Sequence, residues 1–335
     1  MAFPRFYSGV PGAPAAKGPD LPKPRRPQDE NPAEYDADPG LVDAVNVALY
    51  LGQPLLLTGE PGTGKTQLAA NLAHHLGLQK PLKFETKSTT ASTDLFYHYD
   101  ALARFHDAQN QVKGKGAINY ITFRALGAAI ILTHPAAVGA ELGLKAERPG
   151  PVRSVVLIDE VDKAPRDLPN DVLNELDGLY FRIPELGGRV VEADPKFRPV
   201  VVLTSNSEKN LPDAFLRRCV YYNIPFPDDE RLGRIVVARL GQVVAGQGTF
   251  IPAVLKCFAE FRNPATGLRK KPATAELLGW VRALRAVSDA DNPLLSAKRD
   301  VVLGTLGAVA KNPDDQNRAS AVCDDWLTRN AKGGS

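Results

Sequence analysis

The sequence predicts an α/β fold: a core with a parallel sheet and helices on both faces, followed by a smaller all-helical domain. Three observations predict it. The stretch Gly59-Glu60-Pro61-Gly62-Thr63-Gly64-Lys65-Thr66 fits G-x-x-x-x-G-K-[ST], the phosphate-binding loop. It lies between an apolar run, Leu55 to Thr58, and a helical stretch, Gln67 to Leu76. Two later apolar runs, Val155 to Ile158 and Val200 to Leu203, each end in polar residues, as strands buried on both faces do. After Pro227 the strand signal fades and helical stretches take over.

The loop has a direct chemical reading. Its glycines let successive N–H groups converge on phosphate oxygens, and the helix behind it adds its positive N-terminal end. Lys65 is placed to reach β- and γ-phosphates, and Thr66 to offer its hydroxyl to Mg²⁺. The candidate nucleotide-binding residues are Gly59, Glu60, Pro61, Gly62, Thr63, Gly64, Lys65, Thr66 and Gln67. A bare Gly/Pro turn would not need lysine and threonine in register.

Ser154-Val155-Val156-Leu157-Ile158-Asp159-Glu160 is the second informative stretch. Ligands of open α/β sheets bind at the carboxyl ends of the strands, where these two carboxylates sit. Asp159 suits the shell of a Mg²⁺ ion, and Glu160 suits a water-activating base. Val200-Val201-Val202-Leu203-Thr204-Ser205-Asn206 is another buried strand with a polar tip. Its Asn206 is expected beside the carboxylates, where an amide can hold a water or a phosphate; the alternative is a turn-forming asparagine. Arg217 and Arg218 follow a short apolar helix. They could be surface charge, or could reach the γ-phosphate of a neighbouring subunit.

The rest of the chain frames these motifs. The 335 residues are 44% hydrophobic and 24% charged, an ordinary globular balance. The net charge of +3 is too small to argue for nucleic acid or an anionic membrane. Cys219, Cys257 and Cys323 are far apart, which gives no zinc knuckle and suits a reducing cytosol. The longest apolar run, Ala125 to Val138, is interrupted by His134 and Pro135 and reads as buried helix, not as a membrane span. With no signal-peptide core at the N-terminus, the expectation is a cytoplasmic protein. Residues 1–33 read as a disordered, proline-rich leader, 34–227 as the α/β core and 228–330 as the helical domain.

Within the core, Asp38-Pro39 signals a helix start, and Pro81 to Thr86 reads as a strand. His98 and His106 lack the partners for a metal site and read as part of a packing surface. Gln109 to Gly116 is a polar loop, and Tyr120 to Leu132 is expected to be helical. Tyr180 to Pro199 alternates around Gly187-Gly188 as a hairpin does. Its Arg182, Arg189, Lys196 and Arg198 could contact nucleic acid or a peptide, or form a solvated face. Helices are expected over Glu230–Leu240, Ile251–Arg262, Thr274–Val287, Lys298–Ala310 and Ala319–Leu327.

The ordered set resembles the AAA+ ATPases and, within them, the MoxR-like group. The residues that carry the resemblance are GEPGTGKT at 59–66, LIDEVDKAP at 157–165, LTSN at 203–206 and LPDAFLRRC at 211–219. The MoxR likeness rests on the wording of the second motif, the hairpin before LTSN and the extra segment 87–128. The resemblance implies Mg²⁺-dependent ATP hydrolysis in a ring, a homo-hexamer, coupled to remodelling or chaperoning of a protein client. A von Willebrand factor A domain protein is the partner it implies. It also implies that Asn206 is sensor 1 and that one or both of Arg217 and Arg218 act as an arginine finger. Where the family usually has a sensor 2 arginine, this chain reads Arg269-Lys270-Lys271; Lys271 is the choice, with Lys270 next.

Two other functions remain open on the sequence: a nucleic-acid motor or loader, and a nucleotide-switched scaffold in signalling or defence. A monomeric small-molecule kinase would leave Asn206 and the paired arginines without a task.

Overall fold

The computed structural model describes residues 31–144, 150–207, 211–241, 248–288 and 290–331. The leader expected at 1–33 therefore lies outside the described residues, except for its last three. The chain divides into two compact units: residues 37–225, and residues 226 onward together with those up to Asp36.

The first unit is built on a five-stranded sheet. In chain order its elements are α1 (Pro39–Leu51), β1 (Leu55–Gly59), α2 (Lys65–His75), β2 (Leu82–Glu85), β3 (Tyr97–Tyr99), α3 (Ala101–Gln109), β4 (Ile121–Phe123), α4 (Ala125–Leu132) and α5 (Ala136–Glu141). Then come β5 (Val155–Asp159), α6 (Leu168–Asp171), α7 (Leu173–Gly178), β6 (Tyr180–Ile183), β7 (Arg189–Glu192), β8 (Val200–Thr204), α8 (Asp213–Leu216) and β9 (Val220–Ile224). The sheet order is β2-β5-β8-β1-β9, and every pairing is parallel. The three strands β5, β8 and β1, which lead into the candidate site residues, are therefore neighbours at its centre.

The alternation of strand side chains explains why these strands are apolar throughout. Leu56, Val156, Ile158, Val201 and Leu203 join one buried cluster with Leu126, Ala129 and Ile130 of α4. Leu55, Leu57, Val155, Leu157 and Val202 are just as buried and, one residue out of phase, point to the opposite face. There α2 packs on β1, β5 and β8, burying Leu68, Ala69, Leu72 and Ala73.

Two small antiparallel pairs stand apart from this sheet. One is β3 with β4, and the other is the hairpin β6 with β7. The expected helix over Tyr120 to Leu132 is only half helix. Ile121–Phe123 instead pairs with Tyr97–Tyr99, and the helix starts at Ala125. Ile121 and Phe123 are residues whose shape suits a strand, and a partner strand was available. The apolar run from Ala125 breaks at Pro135, which caps α5.

Among the described residues the second unit is all helical: α9 (Asp229–Leu240), α10 (Phe250–Arg262), α11 (Thr274–Val287), α12 (Pro293–Ser296), α13 (Arg299–Gly304) and α14 (Pro313–Ala331). Its core centres on Phe258, Phe261, Trp280 and Leu284. The buried Trp280 indole donates to Thr305 Oγ1 at 2.8 Å, so its one polar atom is satisfied. The helix expected over Lys298 to Ala310 breaks into α13 and a 3-10 turn at Leu306–Ala308. Thr305 sits at that break and turns its hydroxyl to Val302 O (2.6 Å) as well as accepting from Trp280.

Candidate nucleotide-binding and hydrolysis site

Strand β1 delivers the chain into the loop 59–66, and α2 takes it away. Gly59 has φ 140°, and a Cβ there would lie 2.6 Å from the Ile224 carbonyl oxygen, so no side chain fits. Gly64 (φ 90°) caps the N-terminus of α2 without a side chain, leaving the first N–H groups of the helix toward the loop. Thr63 Oγ1 donates to Glu60 O at 2.9 Å and braces the turn from within.

Lys65 is almost wholly buried, at 8% exposure. A buried ammonium needs all three of its donors matched. Lys65 Nζ donates to Gly59 O (2.7 Å), Glu60 O (3.1 Å) and Asn206 Oδ1 (3.3 Å). Burial lowers its pKa below the ordinary 10.5, while Asp162, Asp159 and Glu160 act against that shift.

Asp159 ends β5 and is the most heavily bonded carboxylate of the site. Thr66 Oγ1 donates to its Oδ1 at 3.1 Å, and Thr204 Oγ1 donates to the same oxygen at 2.5 Å. Lys83 Nζ, from β2, lies 3.0 Å from its Oδ2. Glu160 follows in the left-handed conformation, φ 57° and ψ 50°. For a residue with a Cβ this costs on the order of 1–3 kcal/mol. The Glu160 N–H donates to Thr204 Oγ1 at 2.9 Å and offsets part of that cost. Its side chain pairs with Lys163 Nζ at 2.5 Å, across one turn of 3-10 helix. The bond to Glu160 raises the Lys163 pKa.

Asn206 lies past the end of β8, beside both groups. Its side chain meets Lys65, and its backbone N–H donates to Asp162 Oδ1 at 3.3 Å. Together Pro61, Gly62, Gly64, Lys65, Thr66, Gln67, Asp159, Glu160, Thr204 and Asn206 line one cleft of ≈ 230 Å³.

The remaining candidates are elsewhere. Arg218 Nε pairs with Asp177 Oδ2 of α7 at 2.6 Å. Arg217 is exposed and its side chain has no partner among the described residues. Lys271 is an exposed residue of the helical unit, three residues before α11. The backbone N–H groups of Arg269 and Lys270 donate to the Asp315 carboxylate at 2.8 and 3.1 Å, which fixes the segment that carries it.

Three residues of the site were not singled out in the sequence. Thr204 is legible only as a member of LTSN at 203–206 and of a polar strand end. Lys163 is legible only as a member of LIDEVDKAP at 157–165. Lys83 is brought in by the parallel pairing of β2 with β5, which nothing local to it announces.

The residues fit a nucleotide with a divalent cation. A hydroxyl and a carboxylate in direct contact at a helix N-terminus are the hard oxygen donors that Mg²⁺ takes. The sheet, the loop and this donor set define a P-loop nucleotide-binding core. Residues 54–219 match the family description "AAA domain (dynein-related subfamily)". Over that segment the chain has the AAA+ fold. The comparison with curated proteins found no match. Among solved structures, a RuvB mutant from Thermotoga maritima is similar at 16% identity, over 80% of this chain and 67% of that one, with a TM-score of 0.45.

Proposed function

We propose that this chain hydrolyses ATP in a Mg²⁺-dependent reaction, as one subunit of a ring, and couples it to remodelling of a protein client. The observation that carries the reading is the convergence of Lys65, Thr66, Asp159, Glu160 and Asn206 on one cleft at the end of β1, β5 and β8.

The loop N–H groups and Lys65 would hold the phosphates, and Thr66 and Asp159 the Mg²⁺. The cation supplies charge neutralisation at the phosphate oxygens. Glu160 would accept the proton of the attacking water, and Asn206 would orient that water or the γ-phosphate. Arg217 is the better arginine finger. It is exposed and unpaired among the described residues, whereas Arg218 is held by Asp177. Lys271 would act as sensor 2 from the helical unit.

A finger that served the site of a neighbouring subunit would need assembly, and a homo-hexamer is the assembly this favours. A von Willebrand factor A domain protein remains the proposed partner and the MoxR-like group the proposed subfamily. The cytoplasm is the proposed location; among the described residues no helix is long and apolar enough to cross a membrane. A nucleic-acid motor finds less support, because Arg189 of the basic hairpin pairs with Glu141 at 3.3 Å. The test is phosphate release with ATP and Mg²⁺, together with mass by light scattering. Turnover that rises with assembly supports the reading. A monomer that hydrolyses at full rate, or turnover that appears only with DNA, overturns it.

A further inference from the structure

Lys83 stands at the edge of the site, on the edge strand of the sheet. Glu85 and Asp159 are register partners on the adjacent parallel strands β2 and β5. Lys83 Nζ bridges these two carboxylates, 2.6 Å from Glu85 Oε1 and 3.0 Å from Asp159 Oδ2. Asp159 is the only one of the two that also receives Thr66 and Thr204. The side chain of Lys83 is 41% exposed, so it is held by these charges and not by packing.

We infer that Lys83 sets the divalent-cation affinity of the site by neutralising Asp159 at Oδ2, the oxygen that Thr204 leaves free and Thr66 Oγ1 reaches only at 3.4 Å. The inference rests on reading Asp159 as the magnesium carboxylate. Two effects of losing the lysine compete. Asp159 would lose one of its three donors, which loosens it, and the site would lose one positive charge, which draws a cation in. The first effect is small, because both hydroxyl bonds to Oδ1 remain. The second is large: unit charges about 4 Å apart still interact by several kcal/mol at an effective dielectric near 20. Exposure discounts that figure, and an effect of roughly tenfold is left. The charge effect wins, so removing Lys83 tightens cation binding.

Glu85 gives the opposite sign. It competes with Asp159 for the same ammonium. Neutralising Glu85 releases Lys83 wholly to Asp159 and weakens cation binding. A residue that merely supported the strand would not produce opposite changes from two neighbours.

The experiment is Mn²⁺ binding to the full-length chain with saturating ADP, followed by electron paramagnetic resonance of free Mn²⁺. It compares the unsubstituted chain with Lys83→Met, Lys83→Arg, Glu85→Gln and Asp159→Asn. Lys83→Met is expected to bind Mn²⁺ roughly tenfold tighter, Lys83→Arg as the parent does, and Glu85→Gln several-fold weaker. Unchanged or weaker binding by Lys83→Met, while Asp159→Asn abolishes binding, overturns the role of Lys83. Unchanged binding by Asp159→Asn instead removes Asp159 as the cation carboxylate, so the two failures are told apart.

Discussion

Thr204 Oγ1 donates to Asp159 Oδ1 at 2.5 Å and accepts from the Glu160 backbone N–H at 2.9 Å. One hydroxyl on β8 thereby fixes both carboxylate residues at the end of β5. The donor satisfies a carboxylate that is 8% exposed, and the acceptor stabilises a left-handed backbone that orients the next side chain.

Thr204→Val keeps the shape and removes both bonds. A buried hydrogen-bonding network loses more than its pairwise sum when its central member goes. Turnover is expected to fall roughly 10- to 100-fold, the usual cost of losing a group that orients a metal-binding or catalytic residue. Affinity for ADP measured without Mg²⁺ should change little, because Thr204 holds the carboxylates and not the phosphate loop. Equal losses of both would mean that the loop itself has collapsed.

Gly59→Ala places a methyl group against the Ile224 carbonyl, at a φ of 140° that alanine does not tolerate. Backbone stands on both sides of the clash, so neither can yield cheaply. The expected cost is about 1–3 kcal/mol of stability, read as a lower unfolding midpoint, and nucleotide binding weakens with it.

Arg217→Ala and Arg218→Ala should separate. Arg218 joins the segment just after α8 to α7 through Asp177, with both side chains more than a third exposed. Its loss is expected to cost no more than about 1 kcal/mol and to show in urea unfolding. Arg217→Ala should leave unfolding unchanged and abolish the turnover that depends on assembly. Mixing it with a Lys65→Ala chain should restore part of that turnover, since each lacks what the other supplies.

Asp315 is fully buried, and three donors meet it: the Arg269 and Lys270 N–H groups and Asn312 Nδ2 at 2.6 Å. Burial pushes its pKa up, but these hydrogen bonds outweigh it and hold the pKa below the ordinary 3.8. The folded value is depressed, so its contribution to stability is present above the unfolded pKa. It is lost as pH falls from about 3.8 toward the folded value. Asp315→Asn should destabilise the helical unit by about 1–3 kcal/mol at pH 7. The gap from the parent in urea midpoint should narrow on acidification below that range.

Cys219 gives a chemical check on burial. Desolvation first, and the Asp177 charge second, push its thiol up to about 12. Alkylation by iodoacetamide at pH 8 should therefore be much slower than for an exposed thiol, because the thiolate is the reactive form.

The sequence carried much of the core because the chemistry there is local. Lys65 and Thr66 sit in one loop, and Val155 to Asp159 is a run whose burial on both faces can be read from its composition. Asp38 could be seen as a cap before the structure placed its carboxylate 2.9 Å from the Leu41 N–H. What escaped reading depends on contacts between distant segments. Ile121–Phe123 is a strand because Tyr97–Tyr99 lies beside it. Lys83 matters because β2 and β5, more than 70 residues apart, pair so that Glu85 meets Asp159. Asp177 pairs with only one of two adjacent arginines that look equivalent in sequence.

In the proposed reaction Glu160 activates water at a site that binds ATP through separate groups. The direct measurement is ATP binding and single-turnover hydrolysis by Glu160→Gln beside the parent chain. Binding should be kept and hydrolysis should fall by roughly 100-fold or more, the scale of losing a general base. Hydrolysis at the parent rate by Glu160→Gln would contradict the claim.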